Sequence, residues 1–510
     1  MDLGIDLGTT YTAVAAVDNG NHPLLPFFDT EGDSHDHLPS VTAVVDGSLV
    51  HGFEARRAMA DGAPGVRSVK RLLAAPGAGP STRVHIGEME ISLVDLWADF
   101  LRHVISCTDV PGPHRAVLGV PAHAHTGQRL VTMDAARQAG IEVLGLVNEP
   151  SAAGLEFALR QARNLNSKRT RVIIYDLGGG TFDASLVNMA SQSPEVLDSV
   201  GLNDLGGDDF DEVLADLAAR HLDKTSVDRD ELVESCRVAK EALRPQSRNL
   251  LVDLDSTTLR IPVSEVAEVC QPLVDRTIET MEPLSSLLNN ADSDVAGIHL
   301  VGGATSLPIV PRRLRELFGR RVHRSPNPTS ATAIGLAIAA DADTLGIRDR
   351  LSRGFGVFRE TESGKGIGFD VLTDQSTRLS GTTTITRTYR CRHNIGVFRF
   401  VEFSRTDTNG EPVGDLVPFA TVVFPFDEAL QHCDTQLDAD QVDVHEVDNG
   451  HLIEELYTIF ETGMVTATIT DVDTGWSTAV TMGRPTTTNT GTTSNGTTPT
   501  GMASTSMVRR

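Results

Sequence analysis

Apolar and polar positions divide the chain into two regimes. Up to about residue 345, short apolar runs alternate with stretches of helical spacing. Residues 3–5 and 171–175 are rich in aliphatic and β-branched side chains and predict buried strands, each running into an acid. Arg115–Val120, Val143–Val147 and Ile298–Val301 predict further strands, the first ending at Pro121. Helical spacing predicts helices over Phe53–Asp61, over Leu93–Cys107 and over Gln128–Ala139, where Gly140 stops the chain. Two more are expected, one opened by Leu205–Asp211 and running to about His221 and one over Glu231–Leu243, and the Ala-rich run Ala331–Ala340 reads as packed core. Strands alternating with helices imply α/β architecture. Past about Asp349 the period changes to two. Thr383–Arg390, Ile395–Phe403, Val417–Phe426, His451–Glu455 and Met464–Thr470 predict short strands separated by turns such as Asn409-Gly410 and Asn449-Gly450, the pattern of an all-β sandwich. From Met482 onward Thr, Ser, Gly, Asn and Pro dominate, which predicts a disordered tail.

Composition narrows the function. The 510 residues carry 44 basic and 69 acidic side chains, a formal net charge of −25. That argues against a general nucleic-acid binder and against adhesion to anionic lipid. No apolar run approaches the ~20 residues of a membrane span. The first residues already read as a strand, so no signal peptide is expected and a cytoplasmic location is. Five scattered cysteines without a C-x-x-C pair suggest reduced thiols. His35-x-His37 and His123-x-His125 read as solvated loops rather than zinc sites.

The candidate chemistry lies at the ends of two strands. Residues 171–183 read R-V-I-I-Y-D-L-G-G-G-T-F-D, a strand running into Asp176, then Gly178, Gly179 and Gly180, then Thr181 and Asp183. Consecutive glycines let backbone N–H groups converge on an anion. Asp176 would repel a bare phosphate, whereas Mg²⁺ accepts carboxylate and phosphate oxygens together, partly through water. The N-terminus repeats the arrangement with Asp6, Gly8, Thr9 and Thr10 after a similar strand. Two phosphate hairpins of one kind suggest two related lobes facing one nucleotide. Neither is a Walker loop or a G-x-G-x-x-G fingerprint.

Taken together, these motifs resemble the phosphate-1, phosphate-2 and adenosine motifs of the actin, sugar-kinase and heat-shock-ATPase superfamily, the third being Gly-Ile-His-Leu-Val-Gly-Gly-Ala-Thr-Ser-Leu-Pro at 297–308. D-L-G-G-G-T-F-D, V-P-A at 120–122, N-E-P-S-A-A at 148–153 and L-G-G-D-D-F-D at 205–211 look specifically like the heat-shock protein 70 (DnaK-type) chaperones, over roughly residues 1–345. The resemblance implies an actin-like two-lobed ATPase domain over 1–345, a linker over 346–353, a substrate-binding-like β-sandwich over 354–480 and a tail over 481–510. It implies ATP or ADP with Mg²⁺ as cofactors. Asp6, Glu149 and Asp176 would surround the Mg²⁺ through water. Gly8, Thr9, Thr10 and Gly178–Gly180 would hold phosphates, and Thr181 would sit near the γ-phosphate. Lys70 would supply a point charge beside that phosphate, and Asp183 would orient water or a monovalent cation such as K⁺. Gly206, Gly207, Asp208, Lys240, Gly302 and Gly303 would line the nucleotide. Pro121 and Arg129 match the family's interdomain switch proline and relay arginine; without the family they read as a strand terminator and a helix-surface charge.

Departures from the family shape the expectation. Glu241 and Ser306 stand where two arginines sandwich the adenine, so weaker ATP binding is expected, with Arg244 as a substitute contact. Gly145 replaces an arginine that engages J-domain co-chaperones. Residues 345–351 lack the family's acidic, leucine-rich linker, and no helical lid follows the sandwich. The function implied is an ATP-dependent chaperone that hydrolyses ATP to gate unfolded polypeptide, with J-domain and nucleotide-exchange partners in question. The alternative is an actin-like ATP-binding scaffold with slow or no hydrolysis serving a dedicated protein. A small-molecule kinase fits less well, because the heat-shock-specific motifs are present and a sandwich follows.

Overall fold

In the computed structural model, residues 1–482 are described apart from 74–77, 80–81, 123, 125, 191–193, 203, 223–227, 255–256, 290–292, 342–353, 362–365, 374–381, 408, 432–443 and 460–464. The expected linker over 346–353 and all but the first two residues of the expected tail lie outside this range, as do His123, His125 and Cys433. The described residues form two compact units. One comprises residues 1–358, 367–377 and 400–418; the other comprises 359–366, 378–399 and residues from 419 onward.

The first unit is α/β and repeats one strand arrangement. In its first sheet Asp2–Leu7 lies between Tyr11–Ala16, to which it pairs antiparallel, and His114–Val120, to which it pairs parallel. Ile141–Asn148 continues the parallel side, and Leu38–Pro39 continues the other. In the second sheet Arg171–Leu177 lies between antiparallel Phe182–Asn188 and parallel Val295–Val301. Glu195–Leu202 and Val322–Arg324 complete the two sides. The leading strands are buried as their aliphatic sequences require: Leu3, Ile5, Val172, Ile173 and Tyr175 are fully enclosed. In both sheets the hairpin connection carries the glycine–threonine sequence, so the duplication seen in sequence is a duplication of topology.

Each sheet has its own core. Around the first, Leu3, Ile5 and Leu118 pack with Trp97, Phe100 and Leu101 of the helix Leu93–Ser106. That helix starts where the Ser92 hydroxyl accepts from Asp95 N–H at 3.0 Å. Around the second, Phe182 and Leu186 pack with Phe210 and Leu214 of Gly207–His221 and with Val266 and Val274 of Val263–Thr280. Two helices connect the cores. All ten residues of Ala331–Ala340 are buried, as the Ala-rich run predicts. Small side chains let it approach Glu149–Arg160 so closely that a Cβ on Gly335 would stand 1.8 Å from Ala152 O. A buried polar cluster completes this junction: His299 Nε2 lies 2.9 Å from Glu156, which also accepts from Ser325 and pairs with Arg160.

The second unit is mainly β among its described residues, with one short helix at Glu428–Gln431. Thr383–Arg390, Leu452–Ile459, Val465–Asp471 and Ser477–Met482 form an antiparallel sheet in that order. Alternation is regular: Val465, Ala467 and Ile469 are buried, with Thr466, Thr468 and Thr470 on the other face. Ile395–Thr406 and Pro412–Pro425 run longer than their alternating cores suggested, and each has residues in both units, 400–406 and 412–418 belonging to the first. No helix among the described residues is long and apolar enough to cross a membrane. The four described cysteines are unpaired.

Candidate functional site

The strand ends meet at a cavity of about 270 Å³ in the first unit. Asp6, Gly8, Thr9 and Thr10 line it from one hairpin, and Asp176, Gly178, Gly179, Thr181 and Asp183 from the other. Lys70, Glu149, Gly207, Asp208, Lys240, Gly302 and Gly303 also line it. These positions are separated by up to 297 residues in sequence and are brought together by the fold alone.

Local structure explains the positioning. The glycine loop is held by the helix that follows it: Gly207 N–H donates to Gly178 O at 2.9 Å, and Asp208 N–H to Gly179 O at 2.7 Å. Gly206 N–H donates to the Asp209 carboxylate at 2.8 Å. Gly180 and Gly206 do not line the cavity. They stand behind it, where a Cβ on Gly206 would lie 2.5 Å from Gly180 N. Lys70 sits on the short helix Val69–Leu73, entered through Ser68, which holds a left-handed φ of 73°. Lys240, near the end of Arg229–Glu241, donates to Gly207 O at 2.6 Å and reaches Asp211 at 2.7 Å.

Lys70 Nζ donates to Glu149 Oε1 at 2.5 Å, with both side chains largely buried. Burial by itself would lower the Lys70 pKa, yet Glu149, Asp6 and Asp176 outweigh it and raise it. The acids are strained toward neutrality. Burial, reinforced by Glu149, pushes Asp6 up to about 7 against the pull of Lys70. Burial and then Asp183 push Asp176 up to about 8, and Asp183 itself rises to about 6. Four carboxylates facing one lysine leave excess negative charge that a cation would relieve. Among the described residues no three acids converge closely enough to hold a metal ion directly. That excess of carboxylate charge fits a hydrated Mg²⁺ held through its water ligands.

Residues outside the motifs also belong to the cavity, among them Tyr11, His37, Arg237, Pro328, Thr329 and Thr332. Tyr11 and His37 line it, with ring centroids 4.2 Å apart in an edge-on contact. Tyr11 Oη donates to both Glu241 carboxylate oxygens, at 3.1 and 3.2 Å, spanning the cavity. His37 is thus no solvated loop residue; burial lowers its pKa to about 4. His35 pairs with Asp29 at 2.8 Å. Glu241 and Ser306 both line the cavity. Arg244 does not line it. Its guanidinium donates to the carbonyls of Glu241 and Leu243. Arg129 is fully buried rather than on the helix surface, and its Nε donates to Ala124 O at 3.1 Å.

Two β-sheets of one topology, each ending in an acid–glycine–threonine hairpin at a shared cavity, define a two-lobed actin-like fold. Comparison with known proteins refines that class. A family model described as Hsp70 protein matches residues 113–346. The chain is 31% identical to the chaperone protein DnaK of Mycoplasmopsis agalactiae over 360 residues, covering 66% of this chain and 58% of that protein. It is 34% identical to the chaperone protein HscA homolog of Bordetella petrii over 368 residues, 66% of this chain and 57% of the relative. Against DnaK of Thermotoga maritima the identity is 33% over 378 residues, 68% and 61%. Through this region the chain belongs to the heat-shock protein 70 family. It spans about three fifths of the length of these curated relatives.

Proposed function

We propose that the protein is an ATP-driven chaperone of the Hsp70 type, working in the cytoplasm. Residues 1–345 would bind and hydrolyse ATP with Mg²⁺, and the β-sandwich over 354–480 would hold extended, unfolded polypeptide. The observation that carries this reading is the Lys70–Glu149 pair set among Asp6, Asp176 and Asp183, opposite two phosphate-type hairpins. When bound, Mg²⁺ would offset charge on the β- and γ-phosphates. Asp6, Glu149 and Asp176 would hold its water ligands. Thr9, Thr10, Gly178 and Gly179 would fix the phosphates through backbone N–H and hydroxyl donors. Lys70 would stabilise charge on the transferring oxygens, and Thr181 and Asp183 would orient the attacking water. Gly207, Asp208, Lys240, Gly302 and Gly303 would border the nucleoside. Glu241 and Ser306 offer no guanidinium to stack on the base, so ATP binding is weaker than arginine pairs would give, by roughly 1–3 kcal/mol for each lost stack.

The test is coupling between the two sites. Affinity of the full chain for a fluorescent unfolded peptide is measured with ATP, with ADP and without nucleotide. ATP should weaken peptide binding at least fivefold. Identical affinities alongside measurable ATP turnover would reject the chaperone cycle and favour a scaffold that merely carries an ATPase.

A further inference from the structure

On an acidic chain of net charge −25, residues 309–324 hold six arginines against one acid, Glu316. Three of these arginines are engaged. Arg312 pairs with Glu316 at 3.5 Å, Arg313 reaches Asp275 at 2.7 Å, and Arg321 donates to Leu288 O. Arg315 and Arg324 differ. Among the described residues neither meets a carboxylate, and the buried Arg324 Nε has no hydrogen-bond partner. Burial first, and then the neighbouring Arg315 charge, lower the Arg324 pKa. Two cations thus stand near each other with no ion pair of their own among the described residues, Glu316 being taken by Arg312 and Arg313, and one of them has a buried, unmatched donor. Such a donor is unfavourable unless something accepts from it.

Both arginines line a cleft of about 580 Å³. Its walls are mainly apolar, including Leu243, Val263, Val266 and Ile309, with the paired Arg312 and Glu316 also at its lining, and it runs between the helices Val263–Thr280 and Ile309–Phe318. A mostly apolar cleft of this volume with a few convergent polar groups has the character of a small-molecule site. The polar groups define the ligand. Guanidinium binds carboxylate through two parallel N–H donors, and the free Nε of Arg324 is one of the two donors needed.

We propose that this cleft binds a small amphipathic carboxylate, with its apolar body between the two helices and its carboxylate on Arg324 and Arg315. The site is separate from the phosphate cavity but shares a wall with it. Leu307 lines both, directly after Ser306. Occupancy of the cleft therefore bears on the base end of the nucleotide cavity.

The test uses the full chain and a fluorescent medium-chain acid, 11-(dansylamino)undecanoic acid, with its methyl ester as control. The acid should bind saturably with one-to-one stoichiometry and at least tenfold more tightly than the ester. Arg324→Gln should weaken the acid tenfold or more and leave the ester unchanged. Arg315→Gln, at an exposed position that folding does not depend on, should weaken it about threefold or more. Arg312→Gln, already paired with Glu316, should have little effect. Equal binding of acid and ester, no saturable binding, or full affinity in Arg315→Gln together with a folded Arg324→Gln would overturn the assignment. A saturable signal lost equally in Arg312→Gln would do so as well, since it would reflect net charge alone.

Discussion

Gly302 holds a left-handed backbone, φ 84° and ψ 143°, at the turn that brings residues 302–306 beside the phosphate loop. A Cβ there would lie 2.3 Å from Asp176 Oδ1 and 2.4 Å from Leu177 O. Gly302→Ala therefore combines two costs. An L-residue in this backbone region costs about 1–3 kcal/mol. The collision also forces Asp176 and the end of its strand to move by roughly 1 Å to restore van der Waals separation. Asp176 is one of the three carboxylates proposed to hold the hydrated metal, so the displacement reaches the site itself. The variant should melt at least roughly 3 °C lower, taking 2–4 °C per kcal/mol for a domain of this order. It should also bind Mg²⁺-ATP at least tenfold more weakly, a difference of about 1.4 kcal/mol. Gly303→Ala is the internal control. Its φ is not positive, and its Cβ would meet only Thr329 Oγ1, at 3.8 Å. Thermal melts and isothermal titration of the two variants decide the matter. If Gly302→Ala matches the parent in both, or if Gly303→Ala is equally damaged, steric control of Asp176 by this turn is wrong.

Two further outcomes concern stability. Glu156 is fully buried and ties His299, Ser325 and Arg160 together, so Glu156→Ala should lose about 3–5 kcal/mol, seen as a lower urea midpoint; a loss under 1 kcal/mol would show the cluster to be incidental. His103 is held near pKa 4 by burial and by His51, 5.3 Å away, and burial also lowers His51 although Asp99 opposes it. An unfolded histidine protonates near 6.5, so the unfolded state binds more protons between 6.5 and 4 and this contribution to stability, complete above 6.5, is lost as pH falls. His103→Gln should accordingly destabilise less than the parent between pH 7.5 and 5.0 in thermal melts, and parallel losses would refute the sign.

Much of the site was legible because its chemistry needs uncommon local sequence. An acid followed by glycines and threonine at a strand end has few structural uses, and two copies announce a duplicated sheet. Lys70 and Glu149 became meaningful only beside those copies. Tyr11 and His37 were missed for a physical reason: each lies one step from a recognisable feature, and what places it in the cavity is tertiary. Tyr11 had a signal, since it begins the strand after Thr10 and shares a side of it with Ala13 and Ala15. The helix Val263–Thr280 was not read because Pro272 interrupts it, although Val266, Cys270, Val274 and Thr277 are buried at helical spacing. Arg244 illustrates the opposite limit. Position suggested a contact with the base, but helix ends leave carbonyls unsatisfied and the guanidinium is drawn to those.

The central claim is that Lys70 acts on phosphate within this cavity. Single-turnover hydrolysis of radiolabelled ATP, paired with ADP affinity, tests it directly in the parent and in Lys70→Ala. The variant should lose at least a hundredfold in hydrolysis rate, about 2.7 kcal/mol of barrier, while ADP affinity stays within threefold. Hydrolysis at the parent rate with ADP binding intact would contradict the assignment of Lys70.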